Sequence, residues 1–352
     1  MKSVKIKNKI LIKNKFSEFR QDLVSGDWIL VASERKKRPY FLNNIQESAR
    51  KKFSLKNCPF ENPQKFENPK PLVWYTLNFS EKSAGEFKDW FVQIIPNKYP
   101  ILIPSKICPE PKQEGLYHKM DGVGYHEIII TRPHSRSLGE MNYLEAQLVL
   151  KAYQERYLQL KKEKCAEYIL IFHNHGLKAG ASIAHPHSQL TAMPTVPSDV
   201  LKSFNGSERY FKKHGQCVHC VMLEWELKKK KRVVFQNDYF ATISPFAPRV
   251  SCEMRIYPKW HTSHFEEIDE KKRLALAQAL VEVLRRLGKA LNNPDYNFFI
   301  HTAPAKKNQM AYYHWHFEIL PRIAVWAGLE LGTGVEVVSV SPEEAAEKLR
   351  KA

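Results

Sequence analysis

Two histidine pairs carry the chemistry this sequence could perform. His185-Pro186-His187-Ser188-Gln189 follows a glycine-containing turn, Lys178-Ala179-Gly180-Ala181-Ser182. His314-Trp315-His316-Phe317 lies between Tyr312-Tyr313 and the strand-like Glu318-Ile319-Leu320. In an extended segment, side chains two residues apart share a face. Each pair can place one imidazole on a metal and leave the other as a nucleophile or base.

A metal needs further ligands, and both halves of the chain offer them. A lone C-x-x-C such as Cys217-x-x-Cys220 is a weak zinc signal, because redox pairs share it. It gains force from His261 and His314, which complete a Cys2His2 set. The first half supplies Cys58, His134 and His185, with Glu61 in the fourth place. A carboxylate is a harder ligand than a thiolate, so the first is the weaker of two expected zinc sites. Cys108, Cys165 and Cys252 stand alone, and six cysteines in 352 residues do not form the pattern of a disulfide framework.

The elements that must position these residues recur in one order. In the first half, strand candidates Trp90 to Ile95 and His126 to Thr131 lead to His134. A helix follows, about Leu138 to Lys164, then a strand, Tyr168 to Phe172, and then the His185/His187 pair. In the second half, strands Arg232 to Phe235, Tyr239 to Ile243 and Glu253 to Tyr257 lead to His261. An amphipathic helix follows, about Glu266 to Asn292, with Leu274, Leu276, Ala277, Leu280, Val281, Leu284 and Leu287 on one face. A strand, Tyr296 to His301, precedes the His314/His316 pair. His134 and His185 stand 51 positions apart, and positions 261 and 314 stand 53 apart. The agreement of all elements in order points to a tandem duplication of an α+β unit, with antiparallel sheets backed by helices. The expected division is 1–195, carrying the nucleophile, and 196–352, carrying the second metal set and a tail. That tail closes on a last helix opened by Ser341-Pro342-Glu343-Glu344.

Composition bounds the class. With 43% apolar and 26% charged residues the chain reads as a soluble globular protein, and no apolar run approaches a membrane span. Met1 to Lys15 lacks the apolar core of a signal peptide and reads as a basic edge strand or arm of a cytoplasmic protein. A formal charge of +18 suits nucleic acid or polyanionic small substrates. Its sharpest run, Lys228 to Arg232, is expected at a solvated hairpin turn.

Together these residues resemble the galactose-1-phosphate uridylyltransferases and their nucleotide-sugar phosphorylase relatives, in the histidine-triad superfamily. The resemblance runs from about Phe19 to Arg350. It rests on Asp27-Trp28-Ile29-Leu30-Val31-Ala32 with Arg35 and Arg38-Pro39, on Cys58-Pro59-Phe60, and on Pro96-Asn97-Lys98-Tyr99-Pro100. Asn174, eight positions before Ser182, the His-Pro-His-x-Gln element, His301-Thr302-Ala303-Pro304 and Gly328-Leu329-Glu330-Leu331-Gly332-Thr333-Gly334 complete it.

The resemblance implies a double-displacement nucleotidyltransferase. His187 attacks the α-phosphorus of a nucleotide sugar, and a covalent nucleotidyl-histidine passes its group to a second acceptor. Gln189 and Ser182 would donate to the phosphoryl oxygens. Arg38, Asn97 and Asn174 would hold the nucleotide, and Glu330 would lie near the hexose across a homodimer interface. His185 would be a zinc ligand anchoring the strand, and His316 is not assigned as a second nucleophile. Two departures leave the substrates open. Glu61 replaces the second cysteine of the first metal motif, and Gly332-Thr333-Gly334 with Glu336 stands where transferase members carry a glutamine. The favoured expectation is a UDP-glucose–hexose-1-phosphate uridylyltransferase of galactose metabolism. The runner-up is a phosphorylase of ADP-glucose type or of dinucleotides, using the same histidine. A zinc-stabilised nucleic-acid binder is the distant alternative; it has no need of His187 beside His185, so neither a nucleic-acid nor a membrane partner is expected.

Overall fold

The computed structural model describes residues 17–37, 55–78, 81–82 and 89–352. Met1 to Lys15 and Arg38 lie outside these. The centre of the fold is one eleven-stranded antiparallel sheet. On one side of its middle lie β9 (Tyr168–His175), β10 (His187–Met193), β8 (Tyr125–Thr131), β5 (Val92–Pro96), β3 (Val73–Tyr75) and β4 (Glu81–Lys82). On the other lie β14 (Tyr296–His301), β15 (His316–Pro321), β13 (Met254–Pro258), β12 (Phe240–Ile243) and β11 (Val233–Gln236).

The two runs meet where β9 pairs with β14, Phe172 opposite Phe299. Outward from that pair, the order of strands and their origin in the two half-sequences match. The duplicated unit has therefore joined its two copies edge to edge, which removes two exposed sheet edges.

Alternation sorts the side chains. Ile129, Ile169, Ile171, Leu190 and Ala192 in one half, and Met254, Ile256, Phe298, Ile300, Phe317 and Ile319 in the other, face the main core. Three helices cover that face: α1 (Tyr143–Leu160), α4 (Glu270–Leu291) and α6 (Pro342–Lys351). The expected stripe on α4 is buried there from Leu276 through Leu287, each leucine contributing roughly 1.5–3 kcal/mol. Leu274 is corrected: it is exposed, since two residues turn the helix by about 200° and carry it off the face of Leu276. Both long helices start later than the periodicity suggests. The α1 chain begins at the Asn142 cap, whose side chain accepts from Glu145 N, and α4 begins at the Asp269 cap, accepting from Lys272 N. Short 3-10 turns at Leu138–Glu140 and Phe265–Glu267 carry the apolar pattern ahead of those caps.

Two further expectations are corrected. The Lys228 to Arg232 run is the end of a helix, not a hairpin turn. The helix α3 (Val218–Lys229) stops there with Lys230 at φ 57, and cations suit a helix C-terminus. It and α2 (Ser198–His214) fill a stretch to which the sequence pattern assigns no element. Cys108 and Cys165 do not stand alone: they form a disulfide across 57 positions, Cα to Cα 5.2 Å. Spacing alone carries no sign of such a pair.

Outside the main sheet, β1 (Glu18–Gln21) and β2 (Trp28–Val31) join β16 (Val337–Val338) in a three-stranded sheet, while β6 (Lys112–Glu114) pairs with β7 (Tyr117–Lys119). Among the described residues no helix is long and apolar enough to cross a membrane.

Candidate active site

The face of the sheet opposite α1, α4 and α6 carries the histidines, buried among its side chains. His187 is the first residue of β10, and His185 sits just ahead of the strand. The turn that delivers them from β9 depends on Gly176, at φ +85, where a Cβ would lie 2.0 Å from the Asp295 carboxylate. That carboxylate accepts from Lys178 N at 2.7 Å and fixes the turn.

His187 is 7% exposed. Its Nδ1–H donates to the His185 carbonyl at 2.9 Å, which leaves Nε2 unprotonated in the neutral ring. Burial holds the imidazole below its ordinary range, against the pull of that hydrogen bond. The ring is therefore held neutral at pH 7, a form in which an imidazole can act as a nucleophile. Phe60 packs on it, ring centroids 5.0 Å apart. Gln189 follows on the same strand face. Asn174 neighbours His187 on β9, because Ser188 pairs with His173.

Behind β10, Tyr153 Oη and His173 Nδ1 both bond Ser188 Oγ, the latter at 2.9 Å. Burial keeps His173 well below the usual imidazole range. Below pH 6.5 the unfolded chain therefore takes up a proton that the folded one refuses. Stability is full above pH 6.5 and falls as pH drops below it, by at most about 1.4 kcal/mol per pH unit for this group. A His173→Phe variant should show a shallower loss of melting temperature between pH 6.5 and 5 than wild type; an identical slope rejects this assignment.

The sequence-expected metal ligands converge in two places. In the first half, His185 Nε2 donates to Thr131 O at 2.6 Å, which leaves the Nδ1 lone pair pointing at the other ligands. It lies 3.2 Å from His134 Nδ1, 3.5 Å from Cys58 Sγ and 3.9 Å from a Glu61 carboxylate oxygen. That oxygen, 3.2 Å from His134 Nδ1, is buried without a hydrogen-bond partner. Cys58, His134 and His185 form a group that could hold a cation, and the orphaned Glu61 oxygen beside His134 is the nearest candidate for a fourth ligand. In the second half, Cys217, Cys220, His261 and His314 form the corresponding group. His261 Nε2 donates to Met310 O at 3.1 Å, and Cys220 Sγ lies 3.3 Å from His261 Nδ1 and 3.4 Å from His314 Nδ1. The Cys217 thiol is pushed down, first by the hydrogen bond from Cys220 and then by those from His261 and His314.

His316 repeats the backbone device of His187, its Nδ1–H donating to His314 O at 3.1 Å. What surrounds Nε2 differs. The counterpart of Gln189 is Glu318, whose carboxylate lies 3.5 Å from His316 Nε2 and 3.6 Å from His301 Nε2. Despite the cost of burial, Arg255, 3.1 Å away, holds the Glu318 carboxyl well below the usual carboxylate range. A carboxylate paired with Arg255 thus stands where the first half has the Gln189 amide, and this distinguishes the two halves. A cavity of about 360 Å³ adjoins His316 and takes in Thr333, Gly334 and Glu336.

The substrate residues expected from the resemblance are unevenly placed. Asn174 lines a second cavity, of about 330 Å³, with Phe172, Phe299, Arg249, Arg322 and Trp326; its Oδ1 accepts from Asn297 at 2.8 Å. Asn97 lies against His126 and shapes its own loop, accepting from Tyr99 N. Ser182 is exposed on the turn before His185. Glu330 caps its own short helix, α5 (Gly328–Thr333), by accepting from Ala327 N at 2.9 Å. Sequence reasoning missed His126, Arg249, Asn297, Arg322, Trp326 and the Glu318–Arg255 pair. Only Glu318, at the Gln189 position of the repeat, left a readable signal.

These arrangements match known proteins along the whole chain. The family model described as galactose-1-phosphate uridyl transferase, N-terminal domain, matches residues 8–197, and that of the C-terminal domain matches 203–351. The chain belongs to the galactose-1-phosphate uridyl transferase family. It is an enzyme of the nucleotidyltransferase class that this family comprises. An ADP-glucose phosphorylase of Arabidopsis thaliana is 32% identical, over 97% of this chain and 94% of its own length. A galactose-1-phosphate uridylyltransferase of Thermotoga maritima is 26% identical, over 95% and 98%. The crystal structure of an Arabidopsis thaliana ADP-glucose phosphorylase with bound ADP-glucose superposes with a TM-score of 0.79 at 30% identity, covering 96% of this chain and 99% of that one.

Proposed function

We propose that this family member is a double-displacement nucleotidyltransferase acting through His187, with ADP-glucose as donor and inorganic phosphate as acceptor. The observation that carries the reading is the neutral, buried His187 ring, its Nδ1–H tied to the His185 carbonyl, with Gln189 two residues further along the same strand. The choice of donor rests on the likeness to the phosphorylase and to its ADP-glucose complex.

In the first step the Nε2 lone pair forms a bond to the α-phosphorus. The bond from phosphorus to the bridging oxygen breaks, and its electron pair leaves with glucose 1-phosphate. Positive charge grows on the ring, and the Nδ1–H···O bond to His185 strengthens with it. In the second step a phosphate oxygen takes the adenylyl group, the N–P pair returns to Nε2, and ADP departs. No proton has to reach either leaving group, so the work is positioning and donation to phosphoryl oxygens.

Zinc held by Cys58, Glu61, His134 and His185, and by Cys217, Cys220, His261 and His314, would serve structure, fixing the segments ahead of β10 and β15.

Uridylyl transfer between hexose 1-phosphates is the second reading, favoured by the family match and the Thermotoga maritima relative. Intact-protein mass spectrometry after brief mixing with ADP-glucose, and separately UDP-glucose, separates the two. An acid-labile gain of AMP, discharged by phosphate, supports the first reading; a gain of UMP, discharged by galactose 1-phosphate, supports the second. No adduct from either donor removes both.

A further inference from the structure

We propose that His126 is a positioning residue that locks the Gln189 amide with its N–H bonds toward the phosphoryl group; this rests on the reading of His187 as nucleophile. Donors and acceptors decide the orientation. The backbone N–H of Ile101 points at His126 Nδ1, 3.2 Å away. A backbone N–H can only donate, so Nδ1 accepts, and the proton of the neutral ring resides on Nε2. His126 Nε2 lies 2.8 Å from Gln189 Oε1. Its N–H therefore demands the oxygen of the amide, and a flipped Gln189 would set donor against donor.

With Oε1 committed, the NH2 group of Gln189 is left to serve a ligand. Asn97 Nδ2 lies 3.3 and 3.2 Å from the two ring nitrogens. Near-equal distances put it over the ring face, so both in-plane directions stay with Ile101 and Gln189. The His126 ring is 8% exposed, and Asn97 N donates to the His126 carbonyl at 2.9 Å. A loop far from β10 in sequence thus dictates which end of the Gln189 amide meets the substrate.

The phosphoryl group needs donors where its charge develops, and a glutamine free to flip offers an oxygen half the time or worse. His126 removes that freedom without touching substrate.

The test is the single-turnover rate of nucleotidyl-enzyme formation from ADP-glucose, or from UDP-glucose if that donor labels the protein, with thermal unfolding measured on each variant. His126→Phe should slow the step by about 10–100-fold while the donor KM changes by less than about threefold. His126→Gln, which retains an amide N–H toward Oε1, should recover most of the rate. His126→Asn, which keeps an acceptor for Ile101 but loses that donor, should stay slow and serves if the phenylalanine variant does not fold. The double variant His126→Phe/Gln189→Ala should be no slower than Gln189→Ala alone. Wild-type rates in the Phe and Asn variants, or losses that multiply in the double variant, overturn the proposal. A wild-type protein that takes up no nucleotide overturns the reading beneath it instead.

Discussion

His187→Ala is expected to abolish the acid-labile nucleotide adduct and to lower turnover by about 10⁴–10⁶-fold. The loss is this large because no second group can take over. His185 commits Nε2 to Thr131 O and turns Nδ1 toward Cys58 and His134. His316 faces the Glu318 carboxylate. The variant should fold: the ring's one hydrogen bond runs to a carbonyl of its own strand segment, and removing it leaves the metal ligands in place. Melting temperature within a few degrees of wild type, together with silent mass spectra, is the expected pair of results. A His187→Ala protein that still accumulates an acid-labile adduct shows that another group is the nucleophile.

The second large effect concerns metal. The purified protein should hold two zinc ions, measurable by elemental analysis, and they should not leave together. Cys217, Cys220, His261 and His314 offer two thiolates. The first set offers one thiolate and the Glu61 carboxylate, a weaker partner for zinc. A moderate chelator should therefore remove one equivalent readily and the second slowly, and Glu61→Cys should close that gap.

Cys217→Ser should lose the second equivalent outright. It should also destabilise the fold by at least about 3 kcal/mol, because a thiol and two imidazoles remain packed without their shared partner. For a chain of this size that is a fall in melting temperature of about 5 °C or more. Equal release of both ions, or a Cys217→Ser protein that keeps two, contradicts this division of the ligands into a weaker and a stronger set.

Much of the site is legible in the chain because its signals are local. Strand alternation, the i and i+2 histidines and the C-x-x-C motif each lie within a few residues, where backbone geometry is nearly fixed by chemistry. The repeat adds a second reading of each, so His134 and His261 can be matched to their partners without a structure. The helix starts are legible only in part. The apolar period runs on through the 3-10 turns at Leu138–Glu140 and Phe265–Glu267, and only the Asn142 and Asp269 caps mark the true beginnings. The lysine run after α3 misleads for a related reason, since a helix C-terminus and a solvated turn ask for the same residues.

What the sequence determined by itself is the candidate histidine, the residues that come together in two clusters and the duplicated plan, since each is written in residue type and short spacing. What only the tertiary structure decided is how the groups complete one another. Phe172 meets Phe299 to make one sheet of two halves, Cys108 finds Cys165, and Ile101 orients His126, which orients Gln189. Glu318 is visible in the chain, but its hold by Arg255 beside His316 is not. The physical reason is the same in each case: a hydrogen bond or ion pair is specified by distance and direction in space. Residues far apart in the chain acquire these only when the strands between them have found their register.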